Sequence, residues 1–252
     1  MREIYIMRKK TVEPSVSKPK PYFSVPERFD FITQFVKLLA GGRINSFILT
    51  GSGGLGKTHT VTQALIDKGL VEQTIGNDGD FIFIRGYSTA KALYRTLWEN
   101  NGKVIIFDDA DSVHKDPIGA NILKAALGSE DKRIITWGAE FAESESLPNR
   151  FEFIGRVVFI SNLSQEQFPQ ALLSRSMKVD LTLNVAEKLD RIRQVFDQVP
   201  GDVAEKTEVM NFIDQYAEVA SDLNIRSALN VLKLKRDVGD GWERLALYNF
   251  VS

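Results

Sequence analysis

The 252 residues contain no cysteine, which excludes disulfides and thiolate metal sites. Histidine is scarce as well: His59 and His114 are the whole complement, too few for a histidine-based metal cluster. No apolar run approaches the length of a bilayer span. The first residues, Met1 to Arg8, lack the apolar stretch of a signal peptide, so a cytoplasmic protein with no membrane partner is the expectation. Neither sign of charge dominates. Thirty-two Lys and Arg against 33 Asp and Glu leave a net charge of −1, so global charge points to no nucleic-acid partner. No internal repeat or low-complexity segment stands out. What is present, 43% hydrophobic and 26% charged residues, describes an ordinary globular chain. Its length suits one domain of moderate size, or a core with a smaller appendage.

Charge is nevertheless uneven. Residues 1–22 read as a basic, extended arm. They carry Arg2, Arg8, Lys9, Lys10, Lys18 and Lys20 against Glu3 and Glu13, together with Pro14, Pro19 and Pro21. Such an arm is either solvated or a contact for nucleic acid or a neighbouring subunit.

The most informative stretch is Gly51-Ser52-Gly53-Gly54-Leu55-Gly56-Lys57-Thr58, followed by His59. It fits the phosphate-binding pattern G-x-x-x-x-G-K-[ST] without mismatch. The apolar run Phe47–Thr50 precedes it and a helical stretch, Thr60 to Lys68, follows. Glycines let the backbone wrap phosphate oxygens with its N–H groups, and the helix N-terminus adds partial positive charge there. Lys57 is placed to reach the β- and γ-phosphates of ATP, and the Thr58 hydroxyl to hold Mg²⁺. A glycine-rich turn before a helix is the bland alternative, and it explains less of the pattern.

A second constellation lies about fifty residues on. Val104-Ile105-Ile106-Phe107-Asp108-Asp109-Ala110-Asp111 sets carboxylates at the end of an apolar strand, where ligands collect in open α/β sheets. Asp108 suits the Mg²⁺ side, the Walker B role. Asp109 is then placed to orient or activate an attacking water, which makes the chain more than a passive binder.

Apolar strands recur at 81–85, 104–107, 157–160 and 177–181, with helical patterns between them. This alternation predicts a three-layer α/β/α P-loop core with a mostly parallel sheet. After about Asn184 the strand signals stop and four helical stretches follow. The expected division is the arm at 1–22, a nucleotide-binding core at 23–182 and a small C-terminal helical lid at 183–252.

With these motifs in place the sequence resembles the AAA+ ATPases, over about residues 23–236. Phe159-Ile160-Ser161-Asn162 resembles the sensor 1 strand end. Ala171-Leu172-Leu173-Ser174-Arg175-Ser176 resembles the Ser-Arg motif, and Leu223-Asn224-Ile225-Arg226-Ser227-Ala228-Leu229 resembles sensor 2. The resemblance implies that Asn162 contacts the γ-phosphate or the lytic water. It implies that Arg175 is a finger supplied to a neighbouring subunit, and that Arg226 reaches down from the lid. Plainer roles stand beside these: Asn162 as a strand-end cap, Arg175 as a solvated surface arginine, Arg226 paired with Asp222 on its own helix. A finger in trans implies a ring or helical homo-oligomer. The family usually has Glu where this chain has Asp109, whose reach is about 1.5 Å shorter; slower hydrolysis is the expectation.

The substrate is less legible. Texture most resembles small phage-encoded or clamp-loader-like AAA+ proteins, which implies an ATP hydrolase serving DNA transactions, with nucleic acid or a DNA-associated protein as partner. The alternatives are a protein unfoldase or remodeller, or a slow ATP-dependent assembly switch. Tyr87, after the second strand, either grips a substrate or packs on the sheet at a helix entry expected to be capped by Ser88. β-rich runs on both sides of residues 138–150 predict a hairpin, with an acidic tip at Glu140, Glu143 and Glu145 and Lys132, Arg133 and Arg150 at its base.

Overall fold

A computed structural model of the chain describes residues 22–139, 141 and 146–252. The basic arm up to residue 21 and the acidic residues Glu140, Glu143 and Glu145 lie outside the described residues.

Helix α1 (Val25–Ala40) opens the fold with Pro26 in its first turn and the Ser24 backbone N–H held by the Glu27 carboxylate at 2.7 Å. Val25, Phe29, Ile32, Val36 and Leu39 fall at helical spacing and are buried, each stabilising by about 1.5–3 kcal/mol. Next come β1 (Ser46–Gly51), α2 (Lys57–Ile66), β2 (Phe81–Arg85), α3 (Ala90–Glu99) and β3 (Val104–Asp108). The short α4 (Ser112–Lys115) leads into α5 (Pro117–Ala126). A hairpin of β4 (Ile134–Thr136) and β5 (Arg150–Glu152) follows, then β6 (Arg156–Ser161), α6 (Gln170–Leu173) and β7 (Met177–Leu181). The chain ends in α7 (Val185–Gln198), α8 (Val203–Tyr216), α9 (Ile225–Val238) and α10 (Trp242–Val251).

The five-stranded sheet runs β2-β3-β6-β1-β7, parallel throughout. Its strands are apolar on both faces because both faces are covered. Phe47, Leu49, Val104, Ile106, Val158 and Ile160 pack with α1 and α2. The residues between them, Ile48, Ile105, Phe107, Val157 and Phe159, pack with α3, α5 and the hairpin. This period-2 alternation into two separate cores is what makes the architecture three-layered. Helices α7–α10 enclose a third apolar cluster of their own, around Ile192, Phe212, Leu232 and Trp242. Among the described residues no helix is long and apolar enough to cross a membrane.

Several local expectations are corrected. Helix α2 begins at Lys57, not Thr60, so Lys57 and Thr58 occupy its first turn. Thr89 rather than Ser88 caps α3, accepting from the Ala92 N–H at 3.2 Å, while the Ser88 N–H donates to Ser112 Oγ at 3.0 Å. Tyr87 does not pack on the sheet; it is 84% exposed. Arg133 does lie at the hairpin base, beside the start of β4. Its guanidinium donates to the Ala126 and Gly155 carbonyls at 2.8 and 2.9 Å and lies over the Phe153 ring.

Candidate functional site

The sheet order decides where the site lies. β3, β6 and β1 are adjacent, parallel and in register, with Thr50 opposite Ser161 and Asp108 opposite Ile160. Their carboxyl ends therefore deliver the glycine loop, Asp108-Asp109 and Asn162 to one edge. A cleft of about 200 Å³ sits there. Gly53, Gly54, Gly56, Lys57, Thr58 and His59 line it with Asp108, Asp109, Asn162 and Arg226. Of the remaining loop residues, Gly51 ends β1, Leu55 is buried in the core, and Ser52 contributes its carbonyl.

The loop shows why glycine is needed at two positions. Gly56 caps α2 with φ +90° and offers no side chain, leaving the first N–H groups of the helix for a ligand. Gly54 has φ +69°, and a Cβ there would come within 2.6 Å of the Asn224 side chain.

Lys57 is buried, and its Nζ donates to the Gly51 and Ser52 carbonyls at 2.6 and 2.8 Å and to Asn162 Oδ1 at 2.9 Å. Burial pulls its ammonium below the ordinary lysine range, with Asp109 and Asp108 opposing that pull. Thr58 Oγ1 lies 3.1 Å from Asp108 Oδ1. A hydroxyl and a carboxylate side by side are hard oxygen donors, the chemistry Mg²⁺ takes alongside phosphate oxygens, so the residues present fit that ion. The other Asp108 oxygen accepts from Arg85 Nε at 3.2 Å, a contact fixed by the pairing of Arg85 with Asp108 across β2 and β3. Sequence reasoning missed Arg85; its place at the end of the neighbouring strand was the available signal.

Asp109 adopts a left-handed backbone, φ 54°, and its N–H donates to the Ile160 carbonyl at 2.9 Å. Burial and then the neighbouring Asp108 raise its carboxyl above the usual range, while Lys57 and a hydrogen bond from Asn162 act the other way. Asn162 thus accepts from the Lys57 ammonium and stands near enough to Asp109 to favour its ionised form. Behind it, Ser161 Oγ donates to Asp111 Oδ1 at 2.7 Å and locks the ends of β6 and β3 together.

The two arginines are placed differently. Arg226, in the first turn of α9, faces the cleft, and among the described residues it has no hydrogen-bond or ion-pair partner. The alternative pairing with Asp222 is not formed; Asp222 accepts from Asn224 Nδ2 at 2.6 Å instead. Arg175 is exposed at the opposite edge of the sheet. Its carbonyl accepts from Ser46 Oγ at 3.0 Å at the start of β1, and its guanidinium donates to the Ala171 carbonyl at 2.9 Å. Five strand rises, about 16 Å, separate that edge from the glycine loop, so the structure does not bring Arg175 to its own cleft.

No protein-family model matches the chain. It is 27% identical over 246 residues to an uncharacterised 36.7 kDa protein from the nrdC–mobD intergenic region of Enterobacteria phage T4, covering 88% of this chain and 73% of that one. In fold it is similar to NtrX from Brucella abortus in complex with ADP (TM-score 0.53, 13% identity, 88% of this chain). It is likewise similar to NtrX in complex with ATP (TM-score 0.51, 14% identity, 84% of this chain). The chain spans about half the length of those NtrX chains, 53% and 51%. At these identities the likeness to NtrX shows the fold alone.

Proposed function

We propose that this chain is an AAA+ ATPase that binds Mg²⁺–ATP at the glycine loop and hydrolyses it, acting as an oligomer in DNA transactions. The observation that carries the reading is the convergence of Lys57, the Thr58–Asp108 pair and the Asp109–Asn162 pair on one cleft. When ATP binds, phosphate oxygens replace the loop carbonyls around Lys57 Nζ. Thr58 and Asp108 would hold Mg²⁺, which supplies charge neutralisation on the phosphates. Asp109, raised toward the working range of a base and steadied by Asn162, accepts the proton of the attacking water. Arg226 adds positive charge from the lid side. The exposure of Arg175 at the far edge supports its use by a second copy. The similarity to a phage protein supports a phage setting.

Steady-state ATP hydrolysis with and without single- and double-stranded DNA tests this, with Lys57→Ala as the blank. Hydrolysis lost in Lys57→Ala and stimulated by DNA is the expected result. Turnover equal in wild type and Lys57→Ala would overturn the site assignment. The exposure of Tyr87 favours one second reading, a protein remodeller. Turnover indifferent to DNA but stimulated by an unfolded polypeptide, with that stimulation lost in Tyr87→Ala, would replace the DNA reading.

A further inference from the structure

Besides Arg226, a second cation near the cleft has no carboxylate partner among the described residues. Arg191, on α7, lies with its guanidinium carbon 3.8 Å from the centre of the Phe29 ring on α1. Its Nη2 lies 3.4 Å from where a Cβ would stand on Gly56, at the start of α2. The group thus occupies the seam where α1, the glycine loop and the C-terminal helices meet. Two contacts hold that seam together: the Arg28–Glu187 ion pair and the Ile225 N–H donating to the Gly54 carbonyl at 3.1 Å.

A guanidinium carries five N–H donors. Arg191 uses one in a hydrogen bond, Nη1 to the neutral Gln194 Oε1 at 3.3 Å, while its Nε is buried without a partner. Among the described residues no carboxylate pairs with it, and burial alone pulls its charge below the usual arginine range. A half-buried cation with unused donors is costly unless an anion completes it. Phe29 covers the guanidinium on one side, and the donors that Gln194 does not take remain for an anion such as a phosphate, which accepts through two oxygens.

Resting on the nucleotide-binding reading of the cleft, we propose that Arg191 is a nucleotide-binding residue, donating to the α- or β-phosphate from the side of α7. The γ-phosphate end is defined by Asp109 and Asn162 at the tips of β3 and β6. Arg191 stands apart from both, beside Gly56, at the loop expected to wrap the phosphates shared by ATP and ADP. This role is separate from that of Arg226 and ties α7 as well as α9 to the ligand.

The test is calorimetric binding of ATP, ADP and adenosine with Mg²⁺ to the full chain, comparing wild type with Arg191→Gln and Arg191→Met. Arg191→Met keeps an unbranched stem over Phe29 and removes only the charge and donors. Both variants are expected to weaken ATP and ADP alike, by about ten- to hundredfold, leaving adenosine unchanged, with the ligand-free melting temperature of Arg191→Met near that of wild type. Unchanged ATP and ADP affinity in Arg191→Met would overturn the proposal and leave Arg191 as a packing contact. An equal loss for adenosine would overturn it by assigning Arg191 to the base. Absence of ATP binding by wild type would instead sink the reading of the cleft itself, and this inference with it.

Discussion

The sharpest consequence of the geometry concerns Arg175. Its carbonyl is anchored to Ser46 at the start of β1, and the glycine loop begins at the other end of that strand, at Gly51. Five rises of about 3.3 Å put these points about 16 Å apart, which an arginine side chain cannot span. If Arg175 acts in hydrolysis it must act on another subunit, and Arg175→Ala should lower turnover about 10³–10⁵-fold while sparing ATP binding. Lys57→Ala should be inactive for the opposite reason, an empty cleft with an intact finger. Mixing the two dead variants makes the argument quantitative. In a head-to-tail assembly a working site needs the loop of one Arg175→Ala subunit and the finger of an adjacent Lys57→Ala subunit. Random equimolar mixing creates that order at about a quarter of the interfaces, so about a quarter of wild-type turnover per subunit should return. The assay is ATP hydrolysis against mixing ratio, at a concentration where sedimentation shows assembly. No recovery in assembled mixtures, or full activity in a dilute monomeric preparation of wild type, would refute the reasoning.

Two further outcomes follow from the cleft. Asp109→Asn should retain ATP binding and lose about 10²–10⁴ in turnover; because the carboxyl of the free protein is raised, the acid limb of wild-type kcat/KM should lie above the ordinary carboxylate range and vanish from the variant's residual rate. A raised pKa means that ionised Asp109 costs stability above its folded pKa and nothing below its unfolded one, so thermal melts should show Asp109→Asn more stable than wild type at neutral pH, the advantage fading as pH falls through that window. Gly54→Ala should destabilise by about 1–2 kcal/mol, since φ +69° disfavours a side chain and the new Cβ meets Asn224 at 2.6 Å; faster amide exchange at Ile225 would accompany it.

Much of the fold was legible because the sheet is buried on both faces. Continuous apolar runs such as Val104–Phe107 and Val157–Ile160 carry strand identity without help from tertiary context. The loop was legible because phosphate chemistry demands glycines and a lysine at fixed spacing. What escaped the sequence depends on pairing across space. Arg85 meets Asp108 only through β2–β3 register, and Arg191 meets Phe29 and Gly56 only after α7 folds back over α1. Residue type left Tyr87 open between two roles and gave Arg133 no partner; the fold places one in solvent and ties the other to two carbonyls.

Asp109 shows how such context bears on a departure from a family pattern. Read as a side chain alone, Asp in place of Glu is a shortened reach. The structure adds that residue 109 turns left-handed to pass its N–H to Ile160, closing the end of β3 onto β6. Few side chains tolerate that conformation, and Asp is among those enriched there. The same turn leaves the carboxylate on the side of Asn162, which accepts from Lys57. The position is therefore constrained from two directions, by a backbone that favours a short polar residue and by the charges of Lys57 and Asp108 beside it. A water poised for this carboxylate would sit to suit the turn. If Asp109 is the base of the proposed reaction, the shorter acid is matched to its backbone, and the length of the side chain by itself would not set the rate.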